Sequence, residues 1–203
     1  MQSLLLRQKV TLGELDPVNE YLTNLAETIT SISQEQIWIV IRMLFQAWKE
    51  ERQIFLFGNG GSAATASHMA NDLNKLTIHE GKHRMKAIAI NDNIPLMTAW
   101  ANDSEYENIF SQQLLNFIQP GDVVIAISTS GNSPNVLRAL ETARLQQAHT
   151  IGFTGHDGGK LKDLVDCCIF IPDEHMGRQE DAHLVLDHVI ANTLRQMIAD
   201  SNE

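Results

Sequence analysis

Five short runs of apolar, β-prone residues occur along the chain from residue 53 onwards. They cover residues 54–57, 87–90, 123–127, 150–153 and 168–171. Each run is apolar at consecutive positions rather than at alternate ones, which is typical of strands covered on both faces. The pattern therefore predicts five strands of a parallel sheet.

Segments with helical character separate and follow these runs. Helices are predicted at about 62–76, 94–117 with a break, 133–147, 158–164 and 178–199. Strands that alternate with helices in this way form a doubly wound α/β sheet flanked by helices. Ligands of such sheets bind at the carboxyl ends of the strands.

The first fifty residues are predicted to be helical. Asp16-Pro17 places a proline where a helix can begin, and Ser33 with Gln36 matches a capping box. The apolar residues that follow exceed what one amphipathic stripe requires. We expect 1–52 to be an N-terminal helical oligomerisation segment beside a domain of 53–203. The alternative is that these side chains only cover the monomer's own core.

Charge and cysteine content narrow the class of protein. The 203 residues carry a formal net charge of −10, and an acidic chain without a basic cluster is not expected to bind nucleic acid or an anionic membrane directly. No apolar stretch approaches the roughly 20 residues of a membrane span, and residues 1–10 lack a signal-peptide layout. Cys167 and Cys168 are neighbours on a predicted strand, so we expect unpaired thiols and a cytoplasmic location.

Two turns rich in glycine and serine, 58–62 and 128–133, each follow a predicted strand and precede a predicted helix. Glycine lets backbone amides approach a ligand closely, and a helix N-terminus favours an anion. Neither turn contains lysine or arginine, so a phosphate monoester suits them better than a triphosphate. The turns predict a sugar-phosphate site at Asn59, Gly60, Gly61, Ser62, Ser128, Thr129, Ser130 and Ser133.

The turns alone leave two other interpretations open. Gly58, Gly60 and Ala63 match a dinucleotide fingerprint, but the acidic residue expected about 20 positions later has only a late candidate in Asp92. Serine-rich turns can also cap helices without binding any ligand.

Ionisable residues on two predicted helices form the second candidate feature. His68 and Asp72 are four residues apart and share a helix face, and Glu180 and His188 lie on broadly the same side of the last helix. Such a set can bind a divalent metal, or act as acid and base in an aldose–ketose isomerisation. His183 lies about 140° around that helix from His188, and we expect it on the helix surface or in a subunit contact.

An ordered set of short motifs resembles the sugar isomerase (SIS) domain of the phosphoheptose isomerase family. The set consists of FGNGGS at 57–62, ASH at 66–68, AIAI at 87–90, ND at 102–103, GD at 121–122, ISTSGNS at 127–133 and TGxDGG at 154–159. It spans nearly the whole chain and is highly specific for the family, but less specific for the substrate.

The resemblance implies the SIS fold and a homotetramer with active sites between subunits and N-terminal helices at its centre. It implies conversion of sedoheptulose 7-phosphate to D-glycero-D-manno-heptose 7-phosphate, the first step towards ADP- or GDP-activated heptose. It also implies a divalent metal, zinc being expected, and three sets of residues: metal ligands at His68, Asp72, Glu180 and His188; acid–base residues at Asp72, Glu180 and His188; and further substrate contacts at Asn91 and Asp92.

The chain departs from the family at two of these positions. Family members usually carry glutamate where Asp72 stands and glutamine where Glu180 stands. The first change shortens a side chain, and the second adds a charge that strengthens cation binding or supplies a second base. Two other functions stay open, namely a non-catalytic tetrameric scaffold that binds the bacterial replication initiator, and a sugar-phosphate sensor without turnover.

Overall fold

A five-stranded parallel sheet forms the centre of the computed structural model, which describes residues 12–201. The strands are β1 (Gln53–Gly58), β2 (Lys86–Ala89), β3 (Val123–Ser128), β4 (His149–Gly155) and β5 (Cys167–Ile171), in the order β2-β1-β3-β4-β5. All neighbouring strands are parallel. The predicted strands and the doubly wound class are therefore confirmed.

Seven α-helices accompany the sheet within the described residues. They are α1 (Leu12–Ser31), α2 (Gln34–Lys49), α3 (Gly61–Lys75), α4 (Ile94–Asp103), α5 (Ser111–Leu115), α6 (Pro134–Leu145) and α7 (Met176–Asp200). The break expected within 94–117 contains a 3-10 turn at Tyr106–Asn108, and the helix expected at 158–164 is a 3-10 turn at Leu161–Asp163. No described helix combines the length and apolar character needed to cross a membrane.

The start of the N-terminal segment differs from the prediction. The first helix begins at Leu12, so Pro17 lies inside it rather than at its first position. Proline has a φ angle close to the helical value, but at the sixth position of the helix its missing N–H removes one intrahelical hydrogen bond. The cap at Ser33 is confirmed, since its side chain accepts a hydrogen bond from the Gln36 amide at 3.3 Å. Residues 1–11, which include the stretch expected to lack a signal peptide, lie outside the described residues.

Helices cover both faces of the sheet and create two apolar cores. One core joins α2, α3 and α7 to one sheet face, with Trp48, Met69 and Leu186 among its members. The other joins α5 and α6 to the opposite face. Cys167 belongs to the first core and Cys168 to the second, and both thiols are free. The predicted opposite orientation of the two cysteines is thus confirmed.

The edge strand β2 does not fit the expectation of strands covered on both faces. Ala87 and Ala89 are buried, whereas Lys86 and Ile88 are exposed, Ile88 by 41%. Among the strands of residues 12–201, β2 pairs with β1 alone. Its short apolar sequence does not distinguish a half-covered edge strand from a fully buried one.

The strand order fixes the position of the two glycine- and serine-rich turns. β1 connects through α3 to β2 on one side, and β3 connects through α6 to β4 on the other. β1 and β3 are neighbours, so the chain reverses its direction of winding between them. Open α/β sheets bind ligands at such a switch point, and both turns lie there.

Candidate active site

A cavity of about 280 Å³ opens between the two turns at the switch point. Every residue predicted from the turns lines it, and Ile127, Met176 and Glu180 complete the lining. The turn residues in the lining are Asn59, Gly60, Gly61, Ser62, Ser128, Thr129, Ser130 and Ser133. The structure therefore brings the two turns together around one space.

Two helices begin at this cavity with their backbone amides available. In the described structure, neither Gly60 before α3 nor Ser133 before α6 provides a side-chain cap. The Ser133 hydroxyl instead lies 3.3 Å from that of Ser128. Uncapped N–H groups at a helix start attract an anion. The Glu180 carboxylate lies at the start of α3, so the start of α6 and the serine turn offer the neutral donors that suit a phosphate monoester.

Backbone hydrogen bonds from the end of β4 and the loop after it hold the turn at 128–133 on the side away from the cavity. The amide of Gly155 donates to the Thr129 carbonyl, and the amide of Leu161 donates to the Gly131 carbonyl, both at 3.0 Å. Gly131 has a φ of +60°, and a Cβ there would meet the Gly158 carbonyl. This close backbone contact gives the glycines of the TGxDGG motif a structural role, because they shape the turn from outside the cavity.

A reciprocal amide pair links the two halves of the cavity. Asn59 and Asn135 each donate through Nδ2 to the other's Oδ1, both at 2.9 Å. The Tyr106 hydroxyl lies 3.4 Å from Asn59 Oδ1. Asn135 was not predicted, because the pair joins residues 76 positions apart and no local pattern signals it.

Asn91 and Asp92 lie beside the cavity rather than in its lining. Asn91 Nδ2 donates to the Ser67 hydroxyl at 2.8 Å, and that hydroxyl donates to Asp92 Oδ1 at 2.5 Å. Both residues follow β2 and contact the middle of α3, next to His68. Their predicted contact with substrate stays a prediction.

Four ionisable side chains from α3 and α7 converge at a second position. His68, Asp72, Asp187 and His188 each offer a ligand atom, and these atoms all lie within 4.8 Å of one another. The two Nε2 atoms of His68 and His188 are 3.2 Å apart. His68 Nε2 lies 3.7 Å from Asp72 Oδ2 and 3.9 Å from Asp187 Oδ2. Three of the four predicted metal ligands are thus together.

The donor set of this cluster fits a divalent cation. Ligand atoms at about 2.0–2.1 Å from a tetrahedral ion lie roughly 3.4 Å from one another, which is close to the distances observed. Asp187 is fully buried, and among the described residues neither of its carboxylate oxygens has a hydrogen-bond partner. Burial, with a contribution from the nearby Asp72 charge, raises the pKa of Asp187 to about 7. A cation would give this buried carboxylate the partner that it lacks.

The structure places Glu180, the fourth ligand expected from the sequence, apart from this cluster. It is not part of the described His/Asp cluster, and its carboxylate lies instead against Gly61 in the cavity lining. Glu180 and His188 are eight residues apart, which separates them by about 12 Å along the helix axis. Glu180 and His188 therefore share a side of α7 but do not meet in one site.

The structure also corrects the placement of His183. This residue is fully buried, not on the helix surface, and its ring lies 6.0 Å from that of Phe153 in β4. Burial lowers the pKa of His183 to about 4. The imidazole is therefore neutral at physiological pH.

A cavity of neutral donors at the β1/β3 switch point, with a histidine–aspartate cluster further along the same two helices, defines a sugar-phosphate isomerase domain. Comparison with known proteins agrees. The model of the SIS domain family matches residues 19–155. Given the relatives described next, the chain belongs to the phosphoheptose isomerase family of SIS-domain proteins.

Curated relatives and a solved structure support this assignment. The phosphoheptose isomerase of Nitratiruptor sp. is 38% identical over 168 residues, which cover 79% of this chain and 89% of the relative. That of Aquifex aeolicus is 37% identical over 166 residues, covering 82% and 86%. The structure of phosphoheptose isomerase from Neisseria gonorrhoeae superposes with a TM-score of 0.83 at 28% identity, covering 89% of this chain and 98% of that one.

Proposed function

We propose that this protein is a metal-dependent isomerase that converts sedoheptulose 7-phosphate to D-glycero-D-manno-heptose 7-phosphate. The observation that carries the proposal is the position of two chemically different sites along α3. A cavity of uncharged donors lies at the start of this helix, and a histidine–aspartate cluster lies about two turns further along.

The spacing of the two sites suits a long sugar phosphate. Gly61 at the cavity and His68 in the cluster are seven residues apart, or about 10 Å along the helix. An extended seven-carbon chain with its phosphate ester has a similar length. The phosphate would bind the turn of Ser128, Thr129, Ser130 and Ser133, and the carbonyl end would lie towards the cluster, where Asn91 and Asp92 contact sugar hydroxyls.

Isomerisation requires two proton movements at the carbonyl end of the sugar. A base removes a proton from C1 of the ketose and returns it to C2, and a second group moves the hydroxyl proton between O1 and O2. Asp72, which lies at that end, is the proposed base, and His188 is the proposed partner. Glu180, the other base expected from the sequence, lines the phosphate cavity instead. A bound divalent cation, for which we propose zinc, supplies Lewis-acid polarisation of the substrate oxygens.

Exposed apolar side chains support the proposal of a homotetramer with active sites between subunits. A groove of about 440 Å³ lies between the N-terminal helices and α7 and is lined by Ile29, Trp38, Ile41, Leu186 and Val189, among others. Trp38 is 47% exposed. Burial of such a surface is favourable, so we propose that segment 1–52 mediates assembly.

Two further properties belong to this proposal. The free, buried thiols of Cys167 and Cys168 suit a reducing compartment, so we place the enzyme in the cytoplasm. A scaffold for the replication initiator would have no need of Asp187 buried beside His68, and a sensor would have no need of an acid–base pair. Both alternatives are therefore less favoured than the enzyme.

The test is turnover of sedoheptulose 7-phosphate by purified protein loaded with Zn²⁺, followed by proton NMR. We expect the aldose product to accumulate and chelation to stop its formation. Absence of turnover with several ketose phosphates, despite bound metal, would contradict the proposal. Capture of the replication initiator by such inactive protein would favour the scaffold.

A further inference from the structure

We propose that the cation of this enzyme is held by His68, Asp72, Asp187 and His188, so that Asp187 takes the position expected for Glu180. Glu180 then remains a free carboxylate in the sugar-phosphate cavity. The inference deepens the proposed function, since it assigns the ligands of the same site, but it concerns metal binding and can be tested without substrate.

The carboxylates of Glu180 and Asp187 lie at different positions along the parallel helices α3 and α7. Gly61 of α3 contacts Glu180 of α7, and further along α3 His68 meets Asp187. Both contacts advance by seven residues, so α3 and α7 run in the same direction side by side. The Glu180 level and the Asp187 level are therefore about 10 Å apart along the axes.

The environment of Asp187 points to a cation ligand. This side chain has no solvent exposure, and neither oxygen has a hydrogen-bond partner among residues 12–201. A buried carboxylate without partners is costly unless it is paired or coordinates a metal. Its Oδ2 lies 3.9 Å from His68 Nε2, which itself lies 3.2 Å from His188 Nε2. One of the unpartnered oxygens, Oδ2, thus lies within the cluster.

Unlike Asp187, Glu180 is only half-buried and lies next to a helix N-terminus. It is half-buried in the wall of the cavity together with both turns, and its carboxylate lies at the N-terminal end of α3. A helix N-terminus stabilises a nearby negative charge, so Glu180 has a favourable partner without any cation. This leaves the start of α6, with its serine turn, for the substrate phosphate.

The first experiment measures binding of Zn²⁺ alone to metal-free protein by competition with a chromophoric chelator. Asp187→Asn should weaken binding at least about tenfold, whereas Glu180→Gln and the control Asp181→Asn should bind as the wild type does. Unchanged binding by Asp187→Asn, or an equal loss with Glu180→Gln, would overturn the assignment. Circular dichroism confirms that each variant is folded.

The second experiment gives a positive signal at the proposed ligand. Asp187→Cys and Glu180→Cys are each loaded with Co²⁺, and the absorption spectrum is examined for thiolate-to-cobalt charge transfer. Cysteine thiolate is a strong ligand of such ions, so only Asp187→Cys should show the band, with wild type as the control for Cys167 and Cys168. A band from Glu180→Cys alone, or from neither variant, would overturn the assignment. Neither experiment depends on turnover, so a failure of the proposed reaction would be seen separately.

Discussion

The carboxylate of Glu180 fills the space that a Cβ atom at Gly61 would need. The first residue of α3 therefore has no room for a side chain while Glu180 keeps its position. Because the atoms in the way are the far end of a flexible side chain that can move aside, Gly61→Ala should lower the free energy of unfolding by less than about 1 kcal/mol, measured by urea denaturation. The same substitution in a Glu180→Ala background should be neutral or stabilising, since alanine is favoured in helices. If Gly61→Ala lowered the free energy of unfolding equally in wild type and in Glu180→Ala, the contact between residues 61 and 180 would be contradicted.

Removal of a single hydroxyl from the turn after β3 should weaken substrate binding. Ser130 lines the cavity, and its Oγ accepts a hydrogen bond from the Asn132 amide at 3.2 Å. A hydrogen bond to a charged phosphate contributes about 1.5–3 kcal/mol, so Ser130→Ala should raise KM roughly 10- to 100-fold. His188→Ala should mainly lower kcat. Ser31→Ala, at the end of α1, is the control, and an unchanged KM for Ser130→Ala would remove this turn from the phosphate site.

Stability of the metal-free protein should fall as the pH rises from about 4 to about 7. The pKa of Asp187 is raised by burial from 3.8 to about 7, so in this range the unfolded chain has lost the proton that the folded chain still holds. Proton release then favours unfolding. Asp187→Asn removes this effect and should stabilise metal-free protein at pH 8 by about 1–3 kcal/mol, with the difference shrinking towards pH 4.

Urea unfolding in the presence of a chelator measures this difference at each pH. Asp200→Asn, an exposed carboxylate on the same helix, should show no comparable pH dependence. A constant difference between Asp187→Asn and wild type across the pH range would contradict the prediction.

The pair between Arg178 and Asp173 should be important for stability rather than for ligand binding. Arg178 Nε and Nη2 donate to the two carboxylate oxygens of Asp173 at 2.6 and 2.7 Å. The hydrogen bond from Arg178 holds the pKa of Asp173 far below its usual range. Arg178→Ala leaves a largely buried carboxylate without its cation and should cost about 2–4 kcal/mol at pH 7.

The contribution of Asp173 to stability changes with pH in the opposite direction to that of Asp187. A lowered pKa contributes stability above the unfolded value near 4, and this contribution disappears as the pH falls through the folded value. Arg52→Ala, which breaks the exposed contact with Glu50, should cost less than about 1 kcal/mol and serves as the control. Comparable losses in both variants would argue against a special role for Arg178.

Assembly should depend on the apolar face of α2. Trp38→Ser removes the largest exposed apolar side chain of the groove and should yield smaller species in size-exclusion chromatography with light scattering. Leu145→Ser, at an 81% exposed position on α6, is the matched control and should assemble as the wild type does. Identical masses for Trp38→Ser and wild type at low protein concentration would contradict the prediction.

The five strands, most of the helices and the two glycine- and serine-rich turns could be predicted from the sequence, because each depends on patterns within a few residues. Consecutive apolar positions such as Val123 and Val124 identify a buried strand, and glycine followed by serine identifies a turn at a helix start. The same local logic failed at Pro17, since it cannot tell a proline at the first position from one within the first turns. It also failed at Ile88, since it does not show which strand lies at the sheet edge.

Which ionisable groups meet could not be predicted from the sequence, because it depends on how the helices pack. At about 100° per residue, Asp187 points from α7 in nearly the same direction as Glu180, and more nearly so than His188 does. The residue spacing was therefore compatible with Asp187 as a member of the cluster, but it did not favour Asp187 over Glu180. The position of α7 along the axis of α3 places Asp187 beside His68 and Glu180 beside Gly61. Packing against β4 buries His183. Helix packing depends on side chains from distant parts of the chain, so residue spacing gives the face of a helix but not the partner it meets.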